Sequence, residues 1–125
     1  MKHEVFFTHA DDVMPFWSSP PNRRALKVLL SPKIHPTSSN IGIGLVTIPP
    51  GGTGNSHSHD VEQETWYVVS GKGKLIIGEE TVQVTPDMVV VAPSGVVHQI
   101  LNDGEEELKA LFIFTPAGPE EEFIV

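Results

Sequence analysis

Three residues near the middle of the sequence have the types and the spacing of a metal site. His57 and His59 are two positions apart, a spacing that turns both imidazoles to the same side only when the backbone is extended. The preceding segment, PPGGTGNS, cannot sustain a helix, so an extended backbone is expected there. Glu64 follows, and a short turn through residues 60–63 would return its carboxylate beside the rings. The pattern predicts two nitrogen ligands and one oxygen ligand.

His98 is the fourth candidate ligand. It follows a Pro-Ser-Gly turn inside an otherwise apolar segment, where an imidazole needs a partner. Taken alone it would be interpreted as a core histidine bonded to a backbone carbonyl, but the three ligands elsewhere in the chain favour metal ligation. The sequence has no cysteine, so any ion must be held by nitrogen and oxygen. Three imidazoles and a carboxylate suit one divalent ion of Mn, Fe, Co, Ni, Cu or Zn.

Short apolar and β-branched runs, separated by turn-forming residues, must position these side chains. Strands are predicted over residues 25–30, 43–48, 65–69, 74–77, 81–84, 88–92, 96–101 and 108–114. The segments between them are rich in Gly, Pro, Asn and Asp, and no long stretch repeats with the helical period. The pattern predicts an all-β fold, either a sandwich or a barrel.

The two ends of the sequence differ from its middle. Residues 1–24 are predicted to be an irregular N-terminal arm ahead of a single β-domain over residues 25–125, and residues 31–40 to be a loop. The arm is too apolar for a solvated tail, so it is expected to pack on the barrel or on a second subunit. Its large apolar residues are Val5, Phe6, Phe7, Phe16 and Trp17. The Glu-Glu-Glu run at 120–122 is interpreted as a solvated acidic end.

Length and charge limit the partners. A chain of 125 residues is expected to form one domain. Its formal net charge of -8 would repel a phosphate backbone and an anionic membrane surface, so neither nucleic acid nor membrane is expected as a partner. No run is long and apolar enough for a membrane span, and the first residues lack a signal-peptide pattern. A cytoplasmic location is therefore expected.

The ligand-bearing segments resemble the two sequence motifs of the cupins. The first motif is matched at every position, by Gly51, His57, His59, Glu64 and Gly71. The second is matched by Pro93, Gly95, His98 and Asn102, while Asp87 stands where its first glycine belongs. Asp is a common turn residue and can adopt left-handed backbone angles, so the departure is expected to change a turn without disturbing the ligand. The resemblance implies a jelly-roll barrel of six to eight strands, a metal bound by three His and one Glu at its mouth, and often a homodimer.

Cupins include dioxygenases, decarboxylases, isomerases and non-catalytic binding proteins, so the resemblance does not select a reaction. Presence of all four ligands favours a metal-dependent enzyme acting on a small organic substrate. The alternative is a module that binds or senses a small ligand without catalysis.

Strand alternation suggests how the pocket is lined. It places Trp66 and Val68 on the side of Glu64, and Ile100 on the side of His98. Few basic residues fall inside predicted strands, and Arg24 lies in the irregular arm. An apolar, partly aromatic pocket is therefore expected, although Trp66 could instead simply fill the barrel.

Overall fold

The computed structural model describes residues 5–35 and 40–125, and within these ranges the chain is almost entirely β-structure. The strands are β1 (Phe16–Trp17), β2 (Ala25–Leu30), β3 (Gly42–Ile48), β4 (Gln63–Ser70), β5 (Gly73–Ile77), β6 (Glu80–Val84), β7 (Val89–Ala92), β8 (His98–Leu101) and β9 (Leu108–Thr115). Two short 3₁₀ helices, Ala10–Asp12 and Pro119–Phe123, complete the described elements. The predicted all-β fold is confirmed.

The sequence-based elements agree with the structure except at a few boundaries. The eight predicted strands correspond to β2 through β9, and β1 is an additional two-residue strand contributed by the arm. Strand β8 begins at His98, so residues 96 and 97 lie outside it. Residues 36–39 of the predicted loop and residues 1–4 of the predicted arm lie outside the described residues.

The strands form two antiparallel sheets. One has six strands in the order β1-β2-β3-β9-β4-β7, and the other has three in the order β6-β5-β8. Neighbouring strands in the large sheet are distant in sequence, since β9 lies between β3 and β4. Strand β4 belongs to the large sheet and β8 to the small sheet, so side chains from both can meet only between the two sheets. No helix in the described ranges is long and apolar enough to cross a membrane.

The core takes side chains from both sheets. Strand β9 alternates strictly between buried and half-buried residues, so every second side chain, from Leu108 to Phe114, faces the interior. Val68 from the large sheet and Leu75 from the small sheet are fully buried in the same cluster. Phe112 packs directly over Gly44, where an added Cβ would lie 2.0 Å from the ring. A glycine is therefore required opposite this aromatic side chain.

Asp87 adopts the backbone conformation that the sequence predicted. Its φ is 73°, the left-handed region in which glycine is the usual residue. The Asp87 N–H donates to the carbonyl of Val68 over 2.9 Å, and its carboxylate accepts a hydrogen bond from the hydroxyl of Tyr67. This bond raises the pKa of Tyr67. The substitution for glycine therefore keeps the turn between β6 and β7.

The C-terminal 3₁₀ helix corrects one expectation. Glu120 is fully buried, whereas Glu121 and Glu122 are exposed. The carboxylate of Glu120 accepts a hydrogen bond from the Ser31 hydroxyl over 2.6 Å and another from the Gly118 N–H over 2.7 Å. The interpretation of this run as a wholly solvated acidic end is thus wrong, because two donors outside the run satisfy the first carboxylate inside the fold.

Candidate metal centre

The four predicted ligands lie together at one point between the two sheets. His57 pairs with His98 in an isolated antiparallel bridge, with backbone hydrogen bonds of 3.1 and 2.8 Å in the two directions. Glu64 projects inward from β4, and the carbonyl of His59 accepts a hydrogen bond from the Gly95 N–H over 2.6 Å. One potential ligand atom from each of the four side chains lies within 4.8 Å of those from the others. The sequence motifs therefore converge in space.

Backbone carbonyls orient two of the three imidazoles. Nδ1 of His57 lies 2.8 Å from the carbonyl oxygen of Asn55, and Nδ1 of His98 lies 3.0 Å from that of Val96. A carbonyl can only accept, so in each ring Nδ1 must carry the proton. In the neutral ring Nε2 then presents a lone pair to the cluster, which is the arrangement usual for metal-binding histidines.

The carboxylate of Glu64 dominates the electrostatics of the cluster. Its Oε1 lies 3.0 Å from Nε2 of His98 and 3.4 Å from Nε2 of His59. Burial raises the pKa of Glu64, but the neighbouring imidazoles of His59, His98 and His57 outweigh burial and lower it. Burial lowers the pKa of His98, but its hydrogen bond to Glu64 and the carboxylate charge outweigh burial and raise it. Burial also lowers the pKa of His57.

A cation would satisfy these groups better than they satisfy one another. Nε2 of His59 is buried and has no hydrogen-bond partner, because its approach to Glu64 lacks hydrogen-bond geometry. Nε2 of His98 can bond to the carboxylate only if it holds a second ring proton, since its Nδ1 proton is already used. A divalent ion removes both problems by accepting all the lone pairs. The cluster is therefore able to bind a metal ion.

A cavity of about 610 Å³ opens beside the cluster. Trp66 and Ile100 line it, and the Trp66 ring centroid lies 5.2 Å from that of His98. Val68 does not line it, because two residues further along β4 the same face of the strand lies in the core. Phe112 and Phe114 from β9 complete the aromatic wall. The arm contributes Phe16, whose ring centroid lies 5.7 Å from that of Phe123 in the C-terminal 3₁₀ helix.

Part of the cavity lining is polar, which corrects the expectation of an apolar pocket. Arg24 lines the cavity with only 7% of its surface exposed, together with Asn22 and Asn55. Its Nη1 donates to the Asn22 carbonyl over 3.0 Å and its Nη2 to Oδ1 of Asn55 over 3.1 Å. Sequence reasoning missed this residue because strand alternation does not reach the irregular arm. The Arg-Arg pair was its only signal, and that signal did not distinguish buried Arg24 from exposed Arg23.

The chain matches one family model and several curated proteins. The family model described as "Cupin domain" matches residues 44–114, more than half of the chain. The uncharacterized protein SCO3923 of Streptomyces coelicolor is 35% identical over 77 residues, which cover 62% of this chain and 71% of that protein. The "Polyketide synthase CurC" of Streptomyces cyaneus is 30% identical over 103 residues, covering 80% of this chain and 66% of that protein. This chain thus matches about two thirds of the length of these relatives.

Solved structures show the same fold. A protein described as a predicted oxalate decarboxylase from Thermotoga maritima superimposes with a TM-score of 0.79 at 22% identity, covering 90% of this chain and all of that one. KdgF from Halomonas sp. gives 0.76 at 20% identity, with 93% and 99% covered. A putative sugar phosphate isomerase from Acidithiobacillus ferrooxidans gives 0.66 at 33% identity, with 78% and 62% covered.

The two sheets thus form the jelly-roll that the sequence motifs implied. With the family match over residues 44–114, and with both motifs placed around one cluster, the chain belongs to the cupin family.

Proposed function

We propose that this cupin is a metal-dependent enzyme that acts on a small organic substrate held in the cavity beside the ion. The observation that carries the proposal is Nε2 of His59, a buried polar atom without a partner in a cluster where the other rings direct lone pairs to the same point. His57, His59, Glu64 and His98 would hold one divalent ion of Mn, Fe, Co, Ni, Cu or Zn. When bound, such an ion supplies Lewis acidity at positions left open for substrate or dioxygen.

The chain's own residues prepare the site for this chemistry. The carbonyls of Asn55 and Val96 fix two imidazoles in the tautomer that leaves Nε2 free. Trp66 and Phe112 present apolar surface to the cavity and limit the water beside the ligands. A cavity of about 610 Å³ lies within the usual range for small-molecule sites. These features support a substrate of small organic size beside the ion.

The relatives do not narrow the reaction. Similar proteins are described as a "predicted oxalate decarboxylase", a "putative sugar phosphate isomerase" and a "polyketide synthase", which are three different activities. The proposal therefore covers decarboxylase, isomerase and dioxygenase chemistry.

Metal binding to variant proteins tests the proposal. Metal-free protein dialysed against Mn²⁺ or Zn²⁺ should take up one ion per chain, and His98→Ala and His57→Ala should take up none while keeping the β-sheet circular dichroism. His9→Ala is the control, since His9 is an exposed histidine away from the cluster. Parent protein that takes up no ion would contradict the proposal. Loss of the circular dichroism with the metal would make the site structural.

Catalysis needs a separate measurement. The metal-loaded parent should convert members of a panel of small oxygen-bearing acids and ketones, monitored by product analysis and oxygen uptake. Binding of such compounds without turnover would instead favour the non-catalytic binding or sensing module.

We also propose that residues 1–24 act as an arm on the domain of residues 25–125 and that the protein is a homodimer. The arm carries exposed apolar side chains at Val5, Phe7 and Trp17, which a second copy could cover. Sedimentation of a variant with Val5 and Phe7 changed to serine tests this, because an unchanged dimer would exclude the arm from the interface. The cytoplasmic location expected from the sequence stays a prediction.

A further inference from the structure

The guanidinium of Arg24 has hydrogen-bond capacity left over inside the cavity. Its Nη groups donate to neutral acceptors, namely Asn22 O, Asn55 Oδ1 and, more weakly at 3.4 Å, Ser18 Oγ. A guanidinium has five N–H donors, and the Nε donor makes no hydrogen bond to a described residue. Arg24 therefore faces the cavity with donors available for a ligand.

Arg24 also lacks a charge partner. It makes no ion pair with any carboxylate of the described residues, although nine-tenths of its surface is buried. Burial lowers the pKa of Arg24, while the charges of Glu64 and Glu122 act in the opposite direction. Neither carboxylate lies within ion-pair distance of the guanidinium. An arginine buried without a carboxylate is unusual, because burying a charge is costly unless it is paired. Within residues 5–35 and 40–125, no carboxylate completes this pairing.

The cavity as a whole favours an anion once the metal is bound. Arg24, Glu64 and Glu122 are its charged side chains besides the histidines. A divalent ion and the guanidinium together carry three positive charges, and the two carboxylates carry two negative charges. The metal-loaded cavity thus has one uncompensated positive charge.

Asn55 fixes the guanidinium relative to the metal cluster. Its side-chain oxygen holds Nη2 of Arg24, while its backbone carbonyl holds Nδ1 of His57. The side chain of Asn22 ties the same loop to the arm through Thr53 Oγ1, at 2.9 Å, and the Gly54 carbonyl, at 3.3 Å. Hydrogen bonds through Asn55 therefore connect the guanidinium of Arg24 to the ligand cluster.

We propose that the substrate is a small organic acid with a single carboxylate, which Arg24 binds while another oxygen of the same molecule reaches the metal. The inference rests on the proposed function for the metal contact, and it names the substrate class. Arg24 binds carboxylates well because its planar donors can engage both oxygens. The aromatic wall of Trp66, Phe112 and Phe16 accommodates the apolar part of the acid.

A matched pair of probes tests the proposal: phenylpyruvate and its neutral amide, titrated calorimetrically into Mn²⁺-loaded and metal-free protein. The metal-loaded parent should prefer the acid, and the metal-free parent should prefer it less, because without the ion the two carboxylates of the cavity outnumber its guanidinium. Arg24→Gln should lower the affinity for the acid by at least about tenfold and leave that for the amide unchanged, since hydrogen bonds to a charged group are among the stronger ones. Arg24→Lys should restore part of the preference, because it keeps the charge but loses the planar fork. Arg23→Gln is the control, since Arg23 is exposed and stacks on Trp17.

The outcomes separate this inference from the proposed function. If the parent binds no metal but still prefers the acid through Arg24, the metal-dependent function fails and the anion site stands. If the parent binds metal but acid and amide bind equally, or Arg24→Gln leaves the preference intact, the anion site is overturned. A purely structural Arg24 would lower the thermal stability of the Gln variant without changing the acid-to-amide ratio. Should Arg24→Gln fail to fold, the Lys variant and the acid-to-amide preference of the metal-loaded parent still decide the question.

Discussion

Two buried carboxylates in this protein have opposite surroundings. Glu120, beneath the C-terminal 3₁₀ helix, is matched by two neutral donors, the hydroxyl of Ser31 and the N–H of Gly118. Glu64, at the cluster, is faced by imidazoles, one of which keeps a buried nitrogen without a partner. In the first region the polar groups satisfy one another. In the second they do so only if a proton or a cation is added.

The contrast shows that burial of a carboxylate does not by itself indicate a binding site. What distinguishes the Glu64 region is lone pairs directed at a common point and left unused by the protein. The Glu120 region has no such surplus, so we interpret it as an anchor that holds the C-terminal segment against Ser31. Three predictions test this difference.

The largest effect is expected when Glu64 is changed to glutamine. The amide has nearly the same shape but neither the charge nor the ligand strength of the carboxylate, so metal affinity should fall by more than about 100-fold. Equilibrium dialysis with Zn²⁺ measures this directly. Glu120→Gln is the matched control and should bind metal as the parent does. Equal metal affinity in Glu64→Gln and the parent would remove Glu64 from the ligand set.

The second expected effect is on pH dependence. The raised pKa of His98 stabilises the metal-free fold below its ordinary value of 6.5, and this contribution is lost as the pH rises through the raised value. The lowered pKa of Glu64 stabilises it above the ordinary value of 4.5, and this contribution is lost as the pH falls through the lowered value. Between pH 4.5 and pH 6.5 both contributions are present, so protons compete there with a metal ion for His98 and Glu64.

Metal occupancy should therefore fall steeply below about pH 6, by roughly tenfold in apparent affinity per pH unit for each proton displaced. Metal release measured against pH for the parent, His98→Gln and His9→Ala checks this. The His9 variant should follow the parent, and the His98 variant should bind more weakly and release fewer protons per ion. Superimposable curves for the parent and His98→Gln would contradict the ligand assignment.

The smallest effect is expected at Glu120, and it should appear in stability alone. The NH₂ group of glutamine would face either the Ser31 hydroxyl or the Gly118 N–H, so one of these buried donors loses its acceptor. The loss should lower the free energy of unfolding by about 1–3 kcal/mol. Urea unfolding followed by circular dichroism measures the change, with Glu121→Gln as an exposed neighbouring control. A Glu120 variant as stable as the parent would argue against the anchor.

The ligands could be predicted from sequence because their spacing is local and chemically specific. His57 and His59 share one face of an extended segment, and only the backbone period is needed to see it. His98 is distant in sequence, but its place after a turn and inside an apolar run marked it. Glu64 follows the pair after a short turn, and the cupin motifs added the expected fold. The left-handed φ of Asp87 agrees with the known tolerance of aspartate for that conformation.

The polar part of the cavity lining around Arg24 could not be predicted in this way. Arg24 is buried because an irregular arm folds over the loop containing Asn55, and no periodicity in the sequence encodes that contact. Glu120 is likewise buried by a contact with Ser31, 89 residues away. Val68 was placed in the pocket because alternation identifies the inward face of a strand but not the depth at which the cavity ends and the core begins.

Asn55 has a thermodynamic consequence, since one residue holds both the ring of a metal ligand and the guanidinium of Arg24. An ion that steadies His57 also steadies the loop that presents Arg24, and an anion on Arg24 steadies the same loop from its other side. Binding free energies of two ligands on one protein are reciprocally linked. The factor by which the ion raises the affinity for the acid therefore equals the factor by which the acid raises the affinity for the ion, so the protein should retain metal at a lower free ion concentration when the acid is present.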